Sequence, residues 1–109
     1  MVRNIKDMIQ SYCGHYKFNK DTVANWNSKA IGVYYCGYLL NNGDLFVLYV
    51  GKATSDNGIR GRLLQHLDND RWLDVSYFGY CQCSSQKEAE DFEAIEIKRW
   101  QPKYNILGK

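Results

Sequence analysis

Three groups of residues along the chain have the types and spacing to do chemistry. Tyr34 and Tyr49 lie in GVYYCGYLLNNGDLFVLYVGK, residues 32–52, which alternates and turns like a β-hairpin. Arg62 and His66 stand at i, i+4 in RLLQH and so share one helix face. Glu93 and Glu96 belong to a helical pattern in which Ala89, Phe92, Ile97 and Trp100 form one apolar arc. A carboxylate on such an arc costs several kcal/mol unless it is paired or holds a metal. Glu93, with apolar neighbours on both sides, needs a local purpose. Lys52, Arg60 and Arg62 concentrate positive charge close by in sequence, which suits one phosphate contact better than a polyanion coat. Each group has a plain alternative: tyrosines cover strands, and Arg62 with His66 forms a solvated basic face.

These residues must be positioned by a small set of elements. Ile5, Met8, Ile9 and Tyr12 predict an amphipathic helix over 3–13, and Asp21 or Thr22 can cap a second helical turn. Asn42-Gly43 predicts a two-residue hairpin turn. In that register Cys36 faces Tyr49 and Tyr34 faces Gly51, so the two phenols are diagonal neighbours on one face. Tyr35 then shares the other, more apolar face with Val33, Leu39, Phe46, Leu48 and Val50. Gly51 opposite Tyr34 leaves room for a ligand or a backbone. A loop follows, then a helix from Ile59 to about Leu67 and a third strand over 73–83. Ser85, with Glu88 three residues on, predicts a capping box for a helix that Pro102 ends. The order is α, β, β, α, β, α: an α+β (α/β) fold with a small three-stranded antiparallel sheet flanked by helices.

The chain has 109 residues, the size of one domain with its own core. Net charge is +2, so distribution matters more than total. The start has no signal-peptide core and no apolar run spans a membrane, which predicts a cytoplasmic protein. Cys13, Cys36, Cys81 and Cys83 lack the spacing of a zinc site, and they read as reduced, mostly buried strand residues.

GVY at 32–34 followed by YVG at 49–51 resembles the signature of the GIY-YIG nuclease superfamily. Lys52 after YVG, RLLQH at 62–66 and FEAIEIKRWQPKYN at 92–105 are similar, in the same order, to UvrC-type and homing-endonuclease catalytic domains. The resemblance covers Ile31 to Ile106. Residues 1–30 have no counterpart, and the loop between Lys52 and Arg62 is longer than in UvrC-type members. The implied organisation is an N-terminal helical extension over 1–30 packed on a nuclease domain over 31–109.

The resemblance implies DNA cleavage with one divalent cation, Mg²⁺ or Mn²⁺. Glu93 would be its protein ligand, and the metal would stabilise the leaving oxygen. Arg62 would contact the scissile phosphate. Tyr34 would be the general base or orient the attacking water, with Lys52, Arg62 or His66 favouring its phenolate. Tyr49 would hold the nucleophile or a phosphate oxygen. Asn105 would orient the Glu93 end of the site or touch backbone phosphate, and His66 would be a second base, a proton relay or a phosphate ligand. DNA is the implied partner, with a homodimer, a recognition domain or a partner protein supplying target choice. The competing reading is a non-cleaving nucleic-acid-binding module on the same fold. It needs aromatics and cations but not Glu93. A thiol or metal sensor built on Cys81 and Cys83 explains none of the tyrosines.

Overall fold

A hairpin whose two faces are both covered organises the molecule. The computed structural model describes residues 2–3, 12–26, 30–70 and 72–106. Its elements are β1 (Val2–Arg3), β2 (Tyr12–Lys17), α1 (Lys20–Asn25), β3 (Gly32–Leu39), β4 (Leu45–Ala53), α2 (Gly58–Asn69), β5 (Tyr77–Gln82), α3 (Gln86–Trp100) and the single turn α4 (Lys103–Ile106). The fold is α+β, as expected, but the sheet has five strands in the order β1-β4-β3-β5-β2, all pairs antiparallel. The three expected strands are its centre. The helix expected over 3–13 falls mostly on residues outside the described ones. At its two ends the chain is strand: Val2–Arg3 pairs with β4, and Tyr12–Lys17 pairs with β5. Tyr12 and Cys13 meet Cys81 and Tyr80 there.

The hairpin turn differs from the expected one. Leu40 N–H donates to Asp44 C=O at 2.8 Å, and Gly43 N–H donates to Leu40 C=O at 2.9 Å. Asn41, Asn42 and Gly43 therefore form a three-residue loop, with Gly43 left-handed at φ 91°. This is a tight turn closed by a left-handed glycine. The extra loop residue is absorbed by a bulge: Cys36 faces Tyr49, Gly37 faces Val47, and Leu48 is left over. The expected register holds from Gly32 to Cys36 and is shifted by one nearer the turn. The shift moves Phe46 and Leu48 to the face of Tyr34, while Leu45 and Val47 join Tyr35.

Both faces are core. On the first, Tyr34, Cys36 and Leu48 pack with Val23 of α1, Ile59 and Leu63 of α2, and Phe78. On the second, Val33, Tyr35, Val47 and Val50 pack with Ala89 and Phe92 of α3. Each such buried side chain contributes about 2 kcal/mol, which fixes both helices on the sheet. The phenols are thus not on an open face, because α2 lies over them.

Helix ends follow their residues. Asn19, not Asp21 or Thr22, caps α1 by accepting from Thr22 N–H at 2.8 Å. Ser85 Oγ accepts from Glu88 N–H at 3.1 Å, and Glu88 reaches back to Ser84 N–H at 2.6 Å. After Trp100, Gln101 turns left-handed at φ 50° and stops α3. Among the described residues all four cysteines are free thiols, three of them buried.

Candidate active site

One pocket of about 320 Å³ collects Tyr49 and Lys52 of β4, Arg62 of α2 and Glu93 of α3, with Ala53, Thr54 and Ser55 beside them. The pleat explains how two helices on opposite faces meet there. Tyr49 points to the α2 face with Tyr34, whereas Lys52 faces Val33 and points to the α3 face. The pocket thus straddles β4, with α2 reaching in from one side and α3 from the other. Lys52 Nζ lies 3.6 Å from Glu93 Oε1, and the two side chains are 41% and 20% exposed. Arg62 also donates from Nη1 to Gln65 Oε1 on its own helix.

The two α3 glutamates separate sharply. Glu96, not Glu93, is the deeply buried carboxylate, fully enclosed on the α3 face. It accepts from Tyr35 O–H at 2.8 Å and from Trp100 Nε1–H at 3.3 Å. Glu93 sits at the rim, half-buried and within reach of water and ligands.

Directly behind the pocket, Tyr34 is completely buried, and its hydroxyl is 2.8 Å from His66 Nε2. His66 Nδ1 is 2.6 Å from Asp70 Oδ2. Trp72 stacks on the imidazole at 4.6 Å and 28°, and Tyr49 meets it edge-on at 5.1 Å. Burial pushes the Tyr34 phenol well above its ordinary pKa. Tyr49 and Cys36 add to the rise, and Arg62 opposes it. Tyr49 shifts up for the same leading reason, again against Arg62. Desolvation outweighs the nearby cation at both phenols, so the expected phenolate is not favoured in the free protein. Burial also lowers the His66 pKa, with Asp70 raising it and Arg62 lowering it. The ring is therefore neutral at pH 7, and its contact with Asp70 is a hydrogen bond rather than an ion pair. An ionised carboxylate can only accept, so Nδ1 carries the proton and Nε2 accepts from Tyr34.

Gly51 serves this arrangement by what it lacks, since a Cβ there would collide with the ring and hydroxyl of Tyr34. Asn105 has a different place from the one expected. Its side chain accepts from Val50 N–H at 2.8 Å and donates to Val50 C=O at 2.9 Å, so it grips β4 between Tyr49 and Gly51. Arg60 donates to Ala24 C=O at 2.8 Å and ties α2 to α1. Of the expected residues, Tyr49, Lys52, Arg62 and Glu93 share the pocket, Tyr34 and His66 lie behind it, and Asn105 steadies its strand. Asp70 and Trp72 were not anticipated. Asp70 was findable, because it stands i, i+4 from His66 as His66 does from Arg62. Trp72 had no local signal: it reaches His66, Tyr49 and Tyr104 only through the turn that follows α2.

A small α+β domain with a phenol, two cations and a carboxylate gathered at one strand is the class that this geometry defines. Within it, the chain is similar to the UvrABC system protein C of Methanosphaera stadtmanae. The two are 34% identical over 82 residues, covering 66% of this chain and 13% of that protein. The chain thus corresponds to a small part of that relative's length. No family model and no solved structure matches the sequence. No helix among the described residues is long and apolar enough to cross a membrane.

Proposed function

We propose that the chain is a metal-assisted phosphodiester hydrolase of the GIY-YIG type acting on DNA. The observation that carries this reading is the convergence of Tyr49, Lys52, Arg62 and Glu93 in one pocket from three separate elements. The similarity to a component of the UvrABC system points the same way.

The residues fit a hard divalent cation and not a zinc centre. Among the described residues no three His, Cys, Asp or Glu side chains come together to enclose a metal. A lone accessible carboxylate, completed by water and substrate phosphate oxygens, is the protein share that Mg²⁺ accepts. Glu93 would hold it, and the ion would supply charge stabilisation at the phosphate and the leaving oxygen. Arg62 offers a fixed planar cation to the scissile phosphate. Lys52 offsets the Glu93 charge in the free protein and adds a second cation to the same phosphate. Tyr49, a neutral phenol on the pocket wall, orients water or a phosphate oxygen by hydrogen bond. Asn105 keeps the strand bearing Tyr49 in place through Val50.

The test is a cleavage assay on supercoiled plasmid, single-stranded oligonucleotide and branched duplex, with Mg²⁺, Mn²⁺ or EDTA, beside Glu93→Ala. The expected result is metal-dependent cutting, reduced about 10²- to 10³-fold in the variant. A shifted band on a native gel with no cutting of any substrate would replace the hydrolase by a non-cleaving binding module. Cutting that Glu93→Ala leaves unchanged would remove Glu93 from the metal site.

A further inference from the structure

We propose that Asp70 is a positioning residue that fixes the His66 ring so that its Nε2 takes the Tyr34 proton during catalysis. This inference rests on the hydrolase reading and concerns the same site.

Both ring nitrogens of His66 are engaged, one by Tyr34 at 2.8 Å and the other by Asp70 at 2.6 Å. The side chain is 8% exposed, sandwiched by Trp72 and Tyr49. A ring so enclosed is poorly placed to bind a phosphate directly. What remains for it is proton transfer, and the direction is set by which nitrogen is free to accept. Asp70 holds the proton on Nδ1 and leaves the Nε2 lone pair for Tyr34. The step balances as follows. The attacking water enters beside Arg62, which lines the pocket and hydrogen-bonds the Tyr34 hydroxyl, and gives a proton to Tyr34 Oη as its oxygen bonds to phosphorus. Tyr34 gives its own proton to His66 Nε2, and the ring becomes an imidazolium against the Asp70 carboxylate. The bond from phosphorus to the leaving oxygen breaks, and that oxygen takes a proton from solvent. His66 loses its extra proton to solvent once product departs. Buried phenol and neutral imidazole are then not obstacles, because Tyr34 relays a proton without resting as phenolate. Without the carboxylate a buried imidazolium is costly, which gives Asp70 its second duty.

The titratable and charged groups around the ring are Tyr34 on β3, Tyr49 on β4, Arg62 on its own helix and Asp70 at the C-cap of that helix. Arg62 disfavours the imidazolium and Asp70 favours it. Asp70 is 40% exposed on the wall of a second cavity of about 490 Å³, shared with Phe18, Leu67, Trp72 and Val75. Its replacement therefore needs no repacking of the core.

The experiment has two arms, both on the full chain. In the first, ¹⁵N-edited NMR of the His66 ring in wild type and Asp70→Asn reads the tautomer across pH. The wild type is expected to be neutral at pH 7 with the proton on Nδ1, and the variant to shift toward Nε2–H. In the second, the pH dependence of cleavage is compared for wild type, Asp70→Asn and Asp70→Glu. Asp70→Asn is expected to lose about 10²-fold in kcat and to change its acid limb, with Asp70→Glu restoring most of the rate. A wild-type ring carrying its proton on Nε2, or an Asp70→Asn profile matching wild type in height and shape, would overturn the proposal. A rate loss explained by a lowered Tm, with the pH profile unmoved, would also overturn it, since that is a purely structural role. If wild type cuts no substrate, the hydrolase reading fails and the catalytic purpose of Asp70 with it, while the NMR arm still decides whether Asp70 sets the ring.

Discussion

Tyr34 and Tyr35 are consecutive on β3, equally buried, and aimed at opposite faces. Each hydroxyl meets a titratable side chain on the helix that covers its face: His66 of α2 for Tyr34, Glu96 of α3 for Tyr35. The difference lies in where the two networks lead. The Tyr34 network lies behind Tyr49 and Arg62 and ends at the half-exposed Asp70. The Tyr35 network centres on the fully enclosed Glu96, with Trp100 donating to it and Arg99 Nη1 4.0 Å from Oε2. A network open to solvent can exchange protons during a reaction. One centred on an enclosed carboxylate orders the core. In the proposed hydrolase, adjacent residues of one type on one strand would serve chemistry and architecture respectively, by the alternation of the pleat.

The sharpest way to break that comparison is to remove the glutamate nearest each network. Glu93→Ala should cost cleavage about 10²- to 10³-fold with almost no change in stability, because its side chain is partly solvated. Glu96→Ala should cost about 3 kcal/mol of stability, since Tyr35 and Trp100 lose a buried acceptor, while the rate per folded molecule is kept. Urea titration beside the cleavage assay reads both, and a stable but inactive Glu96→Ala would erase the division of labour. The paired tyrosine variants are a finer test. Tyr34→Phe and Tyr35→Phe should each destabilise by about 1 kcal/mol, but only Tyr34→Phe should slow cutting. Equal rates in the two variants would move the chemistry away from Tyr34. The smallest effect is in alkali. The folded Tyr34 pKa is raised above the unfolded value of about 10, so the folded state keeps a proton that the unfolded chain releases. That contribution is fully present below about pH 10 and falls away as pH rises above it. Tyr34→Phe should flatten part of the alkaline loss of Tm, and Tyr49, shifted the same way, should account for some of what remains.

What could be read from the sequence was what local chemistry decides. The alternation and glycines of 32–52, the capping residues of α3 and the stop after Trp100 each act over a few residues. The arc of α3 did flag a carboxylate in an apolar setting, but geometry gives the buried place to Glu96 and the rim to Glu93. Asn42-Gly43 was misread by one residue, because the loop length is decided by the bulge at Cys36 and Leu48 as much as by the turn. β2 was missed because YCGHYK lacks clean alternation and gains its strand form only by pairing with β5. Asp70 follows from its i, i+4 spacing to His66, whereas Trp72 meets Tyr49 and His66 from beyond the end of α2, which no window of sequence encodes.

The grip of Asn105 on Val50 has a further consequence. Val50 offers both of its main-chain groups to the outer margin of β4, and a side-chain amide takes both as a neighbouring strand would. Val2–Arg3 occupies the same margin nearer the turn, against Phe46 and Leu45. A strand margin left open there would be a template for strand addition by another molecule. Asn105 therefore occupies main-chain groups that would otherwise be open to such addition, next to Tyr49 on β4. Replacing it with alanine would loosen Tyr49 and, in the same stroke, leave the protein more prone to aggregate.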